Sequence, residues 1–182
     1  MLPLAPSAPE LAVSRWFNTP DPLTLADLRG SVVMIEAFQM LCPGCVAHGL
    51  PQAQRVAHTF GSDITLIGLH TVFEHHAAME PISLEAFLYE YRITFPVGVD
   101  EPAPDGGAPV TMRRYALGGT PSVVLIDRAG TLRLNAFGQV DDLALGAYLA
   151  RLIDEPAPDP TCDPATGCPA PPTTDHLADE TP

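Results

Sequence analysis

The chain has 182 residues, of which 22 are acidic and 9 are basic, so its formal net charge is −13. A chain this acidic is repelled by phosphate backbones and anionic lipid surfaces, which argues against a nucleic-acid-binding or peripheral membrane protein. Hydrophobic residues make up 46% of the chain and charged residues 17%, as in globular domains with a sizeable core. No apolar run approaches the ~18 residues of a membrane-spanning helix.

The N-terminal sequence MLPLAPSAPELAVSRWF lacks a basic segment followed by a continuous apolar run. A secretory signal requires both features. We therefore expect a cytoplasmic protein, or a periplasmic one if a signal segment has been removed from the N-terminus.

The first half of the chain predicts alternating strands and helices. Thr24 suits the N-cap of a short helix that ends at Gly30, and Ser83 suits the N-cap of a later one. Between them, apolar residues recur at spacings of four and three from Val46 to Phe60, as on one face of a helix. The predicted elements are a helix over residues 25–28, a buried strand over Val32–Phe38, a helix over residues 43–60, a buried strand over Ile64–His70 and a helix over residues 84–91.

The second half predicts two further strands joined by a tight turn. The turn over residues 127–130 makes these two strands antiparallel, whereas the long helical connections before it require parallel pairing. The sequence therefore predicts an α/β fold with a mixed central sheet flanked by helices. The predicted elements are a short strand over residues 96–99, a helical stretch over 111–117, strands over 122–127 and 131–137, and a helix over 141–152.

The composition changes abruptly after Asp154. Residues 155–182, here called the tail, contain eight of the 21 prolines, six acidic residues and no arginine. Such a segment buries too little apolar surface to offset the entropy of ordering it. We predict one domain over residues 1–154 and a flexible, disordered tail over residues 155–182.

Four residues, Cys42-Pro43-Gly44-Cys45, lie between the first buried strand and the long helix. Pro43 suits the first helical position, which places Cys42 at the N-cap, beside free backbone N–H groups. These groups and the helix dipole stabilise a thiolate, the nucleophile of disulfide exchange. Cys45 lies one turn into the helix and is predicted to resolve the mixed disulfide.

A thiol-based metal-binding module is an alternative reading of the same cysteines, because a Cys-x-x-Cys pair also supplies zinc ligands. The tail pair, Cys162 and Cys168, would complete a set of four thiolates, although its spacing is unusual for zinc. A second candidate metal cluster comprises His70, Glu74, His75 and His76. Redox chemistry is favoured over zinc at the cysteines, since the dithiol lies at a strand-to-helix junction, and a solvated loop is favoured over metal binding at the histidines.

These features together resemble the thioredoxin superfamily. The resemblance covers residues 8–153 and rests on the Cys-Pro-Gly-Cys motif, on Pro51 in the following helix and on Gly-Gly-Thr120-Pro121 before a later strand. The opening APEL…LTLADLRGSVVMIEAF and the insertion over residues 73–100 are similar to the TlpA-like and AhpC/TSA-like redoxin branch.

The resemblance implies a thioredoxin-like fold with an N-terminal extension and a thiol–disulfide oxidoreductase without a cofactor. It also implies a cis peptide bond between Thr120 and Pro121, beside the cysteines. Two departures alter the expected substrate surface: Met40-Leu41 stand where the family has tryptophan before the first cysteine, and Pro51 comes one residue late. The implied substrate-binding residues are Met40, Leu41, Pro43, Gly44, Thr120 and Pro121.

Glu36 lies inside the apolar run Val32–Phe38, six residues before Cys42. The resemblance implies that it is a buried acid which carries the proton of Cys45. Burial would raise its pKa into the range that suits general acid–base work. The alternative is a structural carboxylate paired with a backbone group or an arginine.

Peroxidase activity is the nearest alternative function, as in peroxiredoxin-like antioxidant proteins. The resemblance to that branch calls for a P-x-x-x-T-x-x-C pattern, but Ile35 and Gln39 occupy those positions before Cys42, and Phe38 and Cys42 occupy them before Cys45.

We expect a protein or small-molecule disulfide or thiol as substrate and an unidentified reductase as partner. Cys162 and Cys168 form a tail disulfide or a redox relay that exchanges with Cys42, or they are two idle thiols.

Overall fold

The computed structural model describes residues 6–156, so most of the tail, with Cys162 and Cys168, lies outside the described residues. The core of the domain is a six-stranded sheet in the order β1-β4-β3-β2-β5-β6. Its strands are β1 (Val13–Phe17), β2 (Val32–Phe38), β3 (Ile64–His70), β4 (Val97–Asp100), β5 (Ser122–Ile126) and β6 (Leu132–Phe137).

The sheet is mixed, as the connections predict. Strand β2 pairs in parallel with β3, and β3 pairs in parallel with β4. Strand β5 is antiparallel to both β2 and β6, and β1 is antiparallel to β4. The β5–β6 turn closes with a hydrogen bond from Gly130 N–H to the Asp127 carbonyl at 2.8 Å, and Gly130 has a φ of 75° that favours glycine.

Helices cover both faces of the sheet. One core cluster contains Met34 and Phe38 of β2 with apolar residues of α1, α2 and α4, and the other contains Val33 and Ile35 with Met112 of α3. No helix within residues 6–156 is both long enough and apolar enough to cross a membrane. The helices are α1 (Leu50–Phe60), preceded by a π-helical turn over Cys45–Gly49, α2 (Pro81–Glu90), α3 (Val110–Arg114) and α4 (Asp142–Asp154).

The predicted helix over residues 25–28 is wrong, because that segment forms only hydrogen-bonded turns. Thr24 does cap a turn: its hydroxyl oxygen accepts the Asp27 N–H at 3.1 Å. Helix α2 begins at Pro81, so Ser83 lies in its first turn rather than at the N-cap, which is Glu80. The restricted φ of proline suits that first position.

Strand β1 was not predicted. It lies at an edge of the sheet, and only Phe17 of its five residues is buried. An edge strand with one fully buried side chain carries no apolar run, so its pairing with β4 leaves little trace in the sequence.

Candidate active site

Cys42 lies at the N-terminus of the long helix, just beyond the end of β2. A turn between Gln39 and Cys42 leads from β2 to this position. In the turn, the Cys42 N–H donates to the Gln39 carbonyl at 3.1 Å. Pro43 and Gly44 are already helical, and the Cys45 N–H donates to Sγ of Cys42 at 3.2 Å. The sulfur of Cys42 therefore caps the helix and is half-buried, so it also meets solvent.

Cys45 lies behind Cys42 and is fully buried. Burial, reinforced by the hydrogen bond with Cys42, raises the pKa of the Cys45 thiol to about 12. The neighbouring Gln39 backbone and Thr120 side chain act in the opposite direction on this pKa. Both cysteines are free thiols, so the structure holds the reduced dithiol.

The Thr120–Pro121 peptide bond is cis, as the resemblance implies. Thr120 presents its carbonyl oxygen to the dithiol, and the Cys42 thiol donates to it at 3.5 Å. A Cβ atom added to Gly44 would lie 3.3 Å from Cδ of Pro121, so Pro121 packs directly on the cysteine motif. The structure thus brings Cys42 and Gly44 together with Thr120 and Pro121, which lie far from them in the sequence.

Glu36 lies on β2 and is fully buried. Neither carboxyl oxygen has a hydrogen-bond partner within the described residues. The backbone group or arginine that a structural carboxylate would pair with is therefore not found among residues 6–156. Burial, and secondly the negative charge of Cys42, raises the pKa of Glu36 from 4.5 to about 8. At neutral pH Glu36 is thus mostly protonated, and it titrates in the range where a general acid or base works.

The π-helical turn over Cys45–Gly49 explains why Pro51 comes one residue late. The Leu50 N–H donates to the Cys45 carbonyl, five residues earlier, instead of the usual four. Such a turn accommodates one extra residue within a helix. It places Gly49 against the site: a Cβ atom there would overlap Oε1 of Glu36 and lie 2.9 Å from Cβ of Pro121.

Two exposed apolar side chains adjoin the segments that carry Cys42 and Thr120. Leu41 is 53% exposed and precedes Cys42, and Phe137 is 65% exposed at the end of β6. The Phe137 ring would lie 2.8 Å from a Cβ added to Gly119, just before Thr120. Met40, by contrast, is buried, and its N–H donates to Nε2 of His70 at 3.4 Å. The side chain of Met40 therefore faces the core rather than the substrate side.

The candidate histidine cluster is not assembled in the structure. His70 is fully buried at the end of β3, and burial lowers its pKa to about 4. Glu74, His75 and His76 are exposed. Among residues 6–156, no three His, Cys, Asp or Glu side chains lie close enough to hold a metal ion together. The four-thiolate site requires Cys162 and Cys168, which lie outside the described residues.

Sequence reasoning missed three residues at the site: Gln39, Gly49 and Phe137. The late position of Pro51 was the available signal for the π-helical turn and hence for Gly49. Gln39 is a polar residue directly after a buried strand, which signals burial beside the motif but not its partner. Nothing local in the sequence places Phe137 beside Thr120.

No family model matches the chain. A thioredoxin-like superfamily protein of known crystal structure is 61% identical, with a TM-score of 0.82, over 84% of this chain and 99% of that one. The chain belongs to the thioredoxin superfamily. A thiol-disulfide isomerase from Corynebacterium glutamicum is 50% identical, with a TM-score of 0.79, over 84% of this thioredoxin-like chain and 98% of its own.

Protein DipZ from Mycobacterium bovis is a more distant relative. It is 26% identical over 162 residues, which cover 84% of this thioredoxin-like chain but only 21% of DipZ. The chain therefore spans about a fifth of the length of the curated relatives that it matches. The chain thus combines a thioredoxin-like fold, which it shares with these relatives, with a dithiol at a helix N-terminus.

Proposed function

We propose that the protein exchanges disulfides through Cys42 and Cys45. The Cys42 thiolate attacks a substrate disulfide, so that a Cys42–substrate bond forms and the first substrate thiolate leaves. Cys45 then attacks Sγ of Cys42, the intramolecular disulfide forms, and the second substrate thiolate leaves with the electron pair. The substrate gains two electrons and the dithiol loses two. A thiol reductant, supplied by a reductase, restores the dithiol.

The unequal environment of the two sulfurs is the observation that carries this proposal. Sγ of Cys42 is half-buried and accepts the Cys45 N–H, whereas Cys45 is fully buried behind it. Only Cys42 can meet an external disulfide, and the pKa of about 12 keeps Cys45 protonated until a mixed disulfide has formed.

Glu36 is the proposed acceptor of the Cys45 proton. Its carboxyl lies against the helix turn that begins at Cys45, and its pKa of about 8 lets it gain or lose a proton near neutral pH. Because neither oxygen has a partner within the described residues, the carboxyl is free to take up the proton. In the mixed disulfide Cys42 carries no charge. The pKa of Glu36 would then be lower than in the dithiol, because the negative charge of Cys42 raises it.

The proposed substrate surface surrounds Cys42. It comprises the exposed residues Leu41 and Pro43 and the half-buried residues Gly44 and Thr120, with the buried Pro121 beneath them. No charged residue belongs to this set, so we expect a protein or small-molecule disulfide that offers uncharged groups beside its sulfurs.

The test is disulfide reduction by single-cysteine variants. Cys42→Ser should abolish the reduction of a protein disulfide such as that of insulin, and air oxidation of the native dithiol should remove two hydrogens, as read by mass spectrometry. Retained activity in Cys42→Ser would contradict the proposal. So would stoichiometric zinc in a dithiol that resists oxidation, because that result favours the metal-binding alternative.

The tail cysteines have a separate proposed role as a relay to Cys42. A tethered thiol reaches an effective concentration on the order of millimolar. In Cys45→Ser with an oxidised Cys162–Cys168 pair and no substrate, Cys42 should attack that disulfide, so that peptide mapping finds Cys42 joined to one tail cysteine and the other released as a thiol. Free tail thiols, or a closed bond between Cys162 and Cys168, would reject the relay.

A further inference from the structure

His70 is a fully buried imidazole at the end of β3. It lies opposite Phe38, the last residue of β2, in the parallel ladder, and the centroids of the two rings are 5.3 Å apart. Removing an imidazole from water costs free energy that an apolar side chain of similar size would not cost. The disulfide exchange proposed for the two cysteines does not use this side chain.

A single hydrogen bond holds the imidazole among residues 6–156. The Met40 N–H donates to Nε2 of His70 at 3.4 Å, so Nε2 is unprotonated and the hydrogen of the neutral ring is on Nδ1. Nδ1 has no hydrogen-bond partner in the part of the chain that the structure describes. A buried donor without a partner costs stability. The ring is therefore placed for the acceptor at Nε2 rather than for the donor at Nδ1.

Nε2 of His70 takes the place of a main-chain acceptor at the end of the sheet. There the Thr71 N–H of the β3 side donates to the Phe38 carbonyl at 3.0 Å. If the parallel ladder continued, the Met40 N–H would donate next to the Thr71 carbonyl. The chain instead turns toward the helix, and this N–H donates to the His70 side chain. The imidazole thus lets β2 end at Phe38 without leaving a buried N–H unpaired.

The same hydrogen bond joins β3 to the turn that carries Cys42. The turn closes with the bond from the Cys42 N–H to the Gln39 carbonyl at 3.1 Å, and Met40 and Leu41 lie inside it. Leu41 is 53% exposed, so its side chain does not anchor the turn in the core. The Met40 N–H, two residues before Cys42, ties the turn to the sheet.

We propose that His70 is a positioning residue for the first step of the exchange. Its Nε2 holds the turn through Met40, and the turn holds Sγ of Cys42 where an external disulfide can reach it. This inference rests on the proposed function and adds a residue that touches neither sulfur. Attack requires close alignment of the reacting atoms, and a displacement of about 1 Å can slow a reaction by a factor on the order of a hundred.

The imidazole acts here as an acceptor and not as a base. The lone pair of Nε2 is occupied by the Met40 N–H, and Nδ1 carries the hydrogen of the neutral ring. Burial lowers the pKa of His70 to about 4, so the ring stays neutral at the pH values where thiols exchange. An amide oxygen in the place of Nε2 should therefore serve as well.

The test uses the full chain with Cys45, Cys162 and Cys168 replaced by serine, so that Cys42 is its only thiol. Its reaction with Ellman's reagent, an aromatic disulfide that releases a coloured thiolate, then measures the first step alone. His70→Gln places Oε1 near the position of Nε2 and should react within about twofold of the parent chain. His70→Asn, whose oxygen ends one bond short, and His70→Leu, which has no acceptor, should react about tenfold more slowly.

Gln52→Met in the same background is the matched control for lost stability. Gln52 is 5% exposed and donates to the Val140 carbonyl at 2.8 Å, a bond between α1 and the segment before α4. Loss of this buried bond should lower the free energy of unfolding in urea and leave the reaction of Cys42 unchanged. If His70→Asn does not fold, His70→Leu gives the same comparison with His70→Gln.

Three results would overturn the inference. A parent-like rate in His70→Asn or His70→Leu would show that the turn does not need the acceptor. A rate in His70→Gln as slow as in His70→Leu would show that the imidazole itself is required, as for a base. Equal slowing in Gln52→Met would reduce the effect to lost stability. Failure of the proposed function is distinguishable, because it appears as disulfide reduction retained by Cys42→Ser.

Discussion

At the scale of single residues, Glu36 shows what burial costs an ionisable group. Its pKa lies near 8 in the folded chain and returns to its ordinary value of 4.5 when the chain unfolds. Between these two values the unfolded chain releases a proton that the folded chain keeps. The free energy of unfolding therefore falls as the pH rises from 4.5 to about 8. At about pH 7 it is roughly 3 kcal/mol lower than at pH 4.5 because of Glu36.

Glu36→Gln should remove this dependence, since an amide does not titrate. The free energy of unfolding of the variant, minus that of the native chain, should grow by roughly 3 kcal/mol between about pH 4 and about pH 7. Urea unfolding at both pH values measures the difference. The same pH slope in both proteins would show that Glu36 is ionised in the folded state, and its assignment as proton acceptor would then be wrong.

At the scale of single elements, the π-helical turn determines how closely the helix approaches β2. Gly49 ends this turn, and its Cα packs against Oε1 of Glu36 and Cβ of Pro121. A methyl group at this position has no free space. Gly49→Ala should therefore lower the free energy of unfolding by about 1–3 kcal/mol, as overpacked sites do, and slow the exchange reaction by displacing Glu36.

Gly146→Ala is the matched control for this prediction. Gly146 lies within α4, and nothing lies within 4 Å of a Cβ added there. The same substitution should here raise the free energy of unfolding by about 0.5–1 kcal/mol, because alanine is the better helix former. Equal effects of the two substitutions on stability would contradict the packing described for Gly49.

The elements that could be predicted are those with a local signal. Consecutive apolar residues predict β2 and β3, and the Cys-Pro-Gly-Cys motif predicts the helix start. The contacts of Gln39 and Gly49 could not be predicted, because each depends on packing between distant segments: Gln39 meets a partner 81 positions away. Strand β1 was missed for a related reason, since its pairing with β4 determines its conformation more than its own sequence does.

At the scale of the whole molecule, the point where the domain ends can be measured. Glu155, the first residue assigned to the tail, accepts hydrogen bonds from the Arg133 guanidinium at 2.6 and 2.8 Å. Arg133 also binds Asp127 at 3.0 Å, so Glu155 is joined to β6 and to the β5–β6 turn. Residues 157–182, in contrast, contain one large apolar residue, Leu177.

Two truncations separate the contribution of Glu155 to stability from that of residues 157–182. Ending the chain after Pro156 should leave the melting temperature nearly unchanged, because little apolar area is removed. Ending it after Asp154 should cost about 1 kcal/mol, since the partly exposed Arg133–Glu155 ion pair is lost. Thermal unfolding of both chains beside the full chain measures this. A marked loss on truncation after Pro156 would show that residues 157–182 contribute to the stability of the domain.

The central claim is that Cys42 is the attacking sulfur and Cys45 the resolving one. The most direct test is to incubate Cys45→Ser and Cys42→Ser with the same oxidised polypeptide and to map the disulfides formed. We predict that Cys45→Ser accumulates a mixed disulfide through Cys42, because the resolving thiol Cys45 is absent, whereas Cys42→Ser forms none, because Cys45 is fully buried. A mixed disulfide through Cys45 in Cys42→Ser, formed as readily as the one through Cys42, would contradict the account.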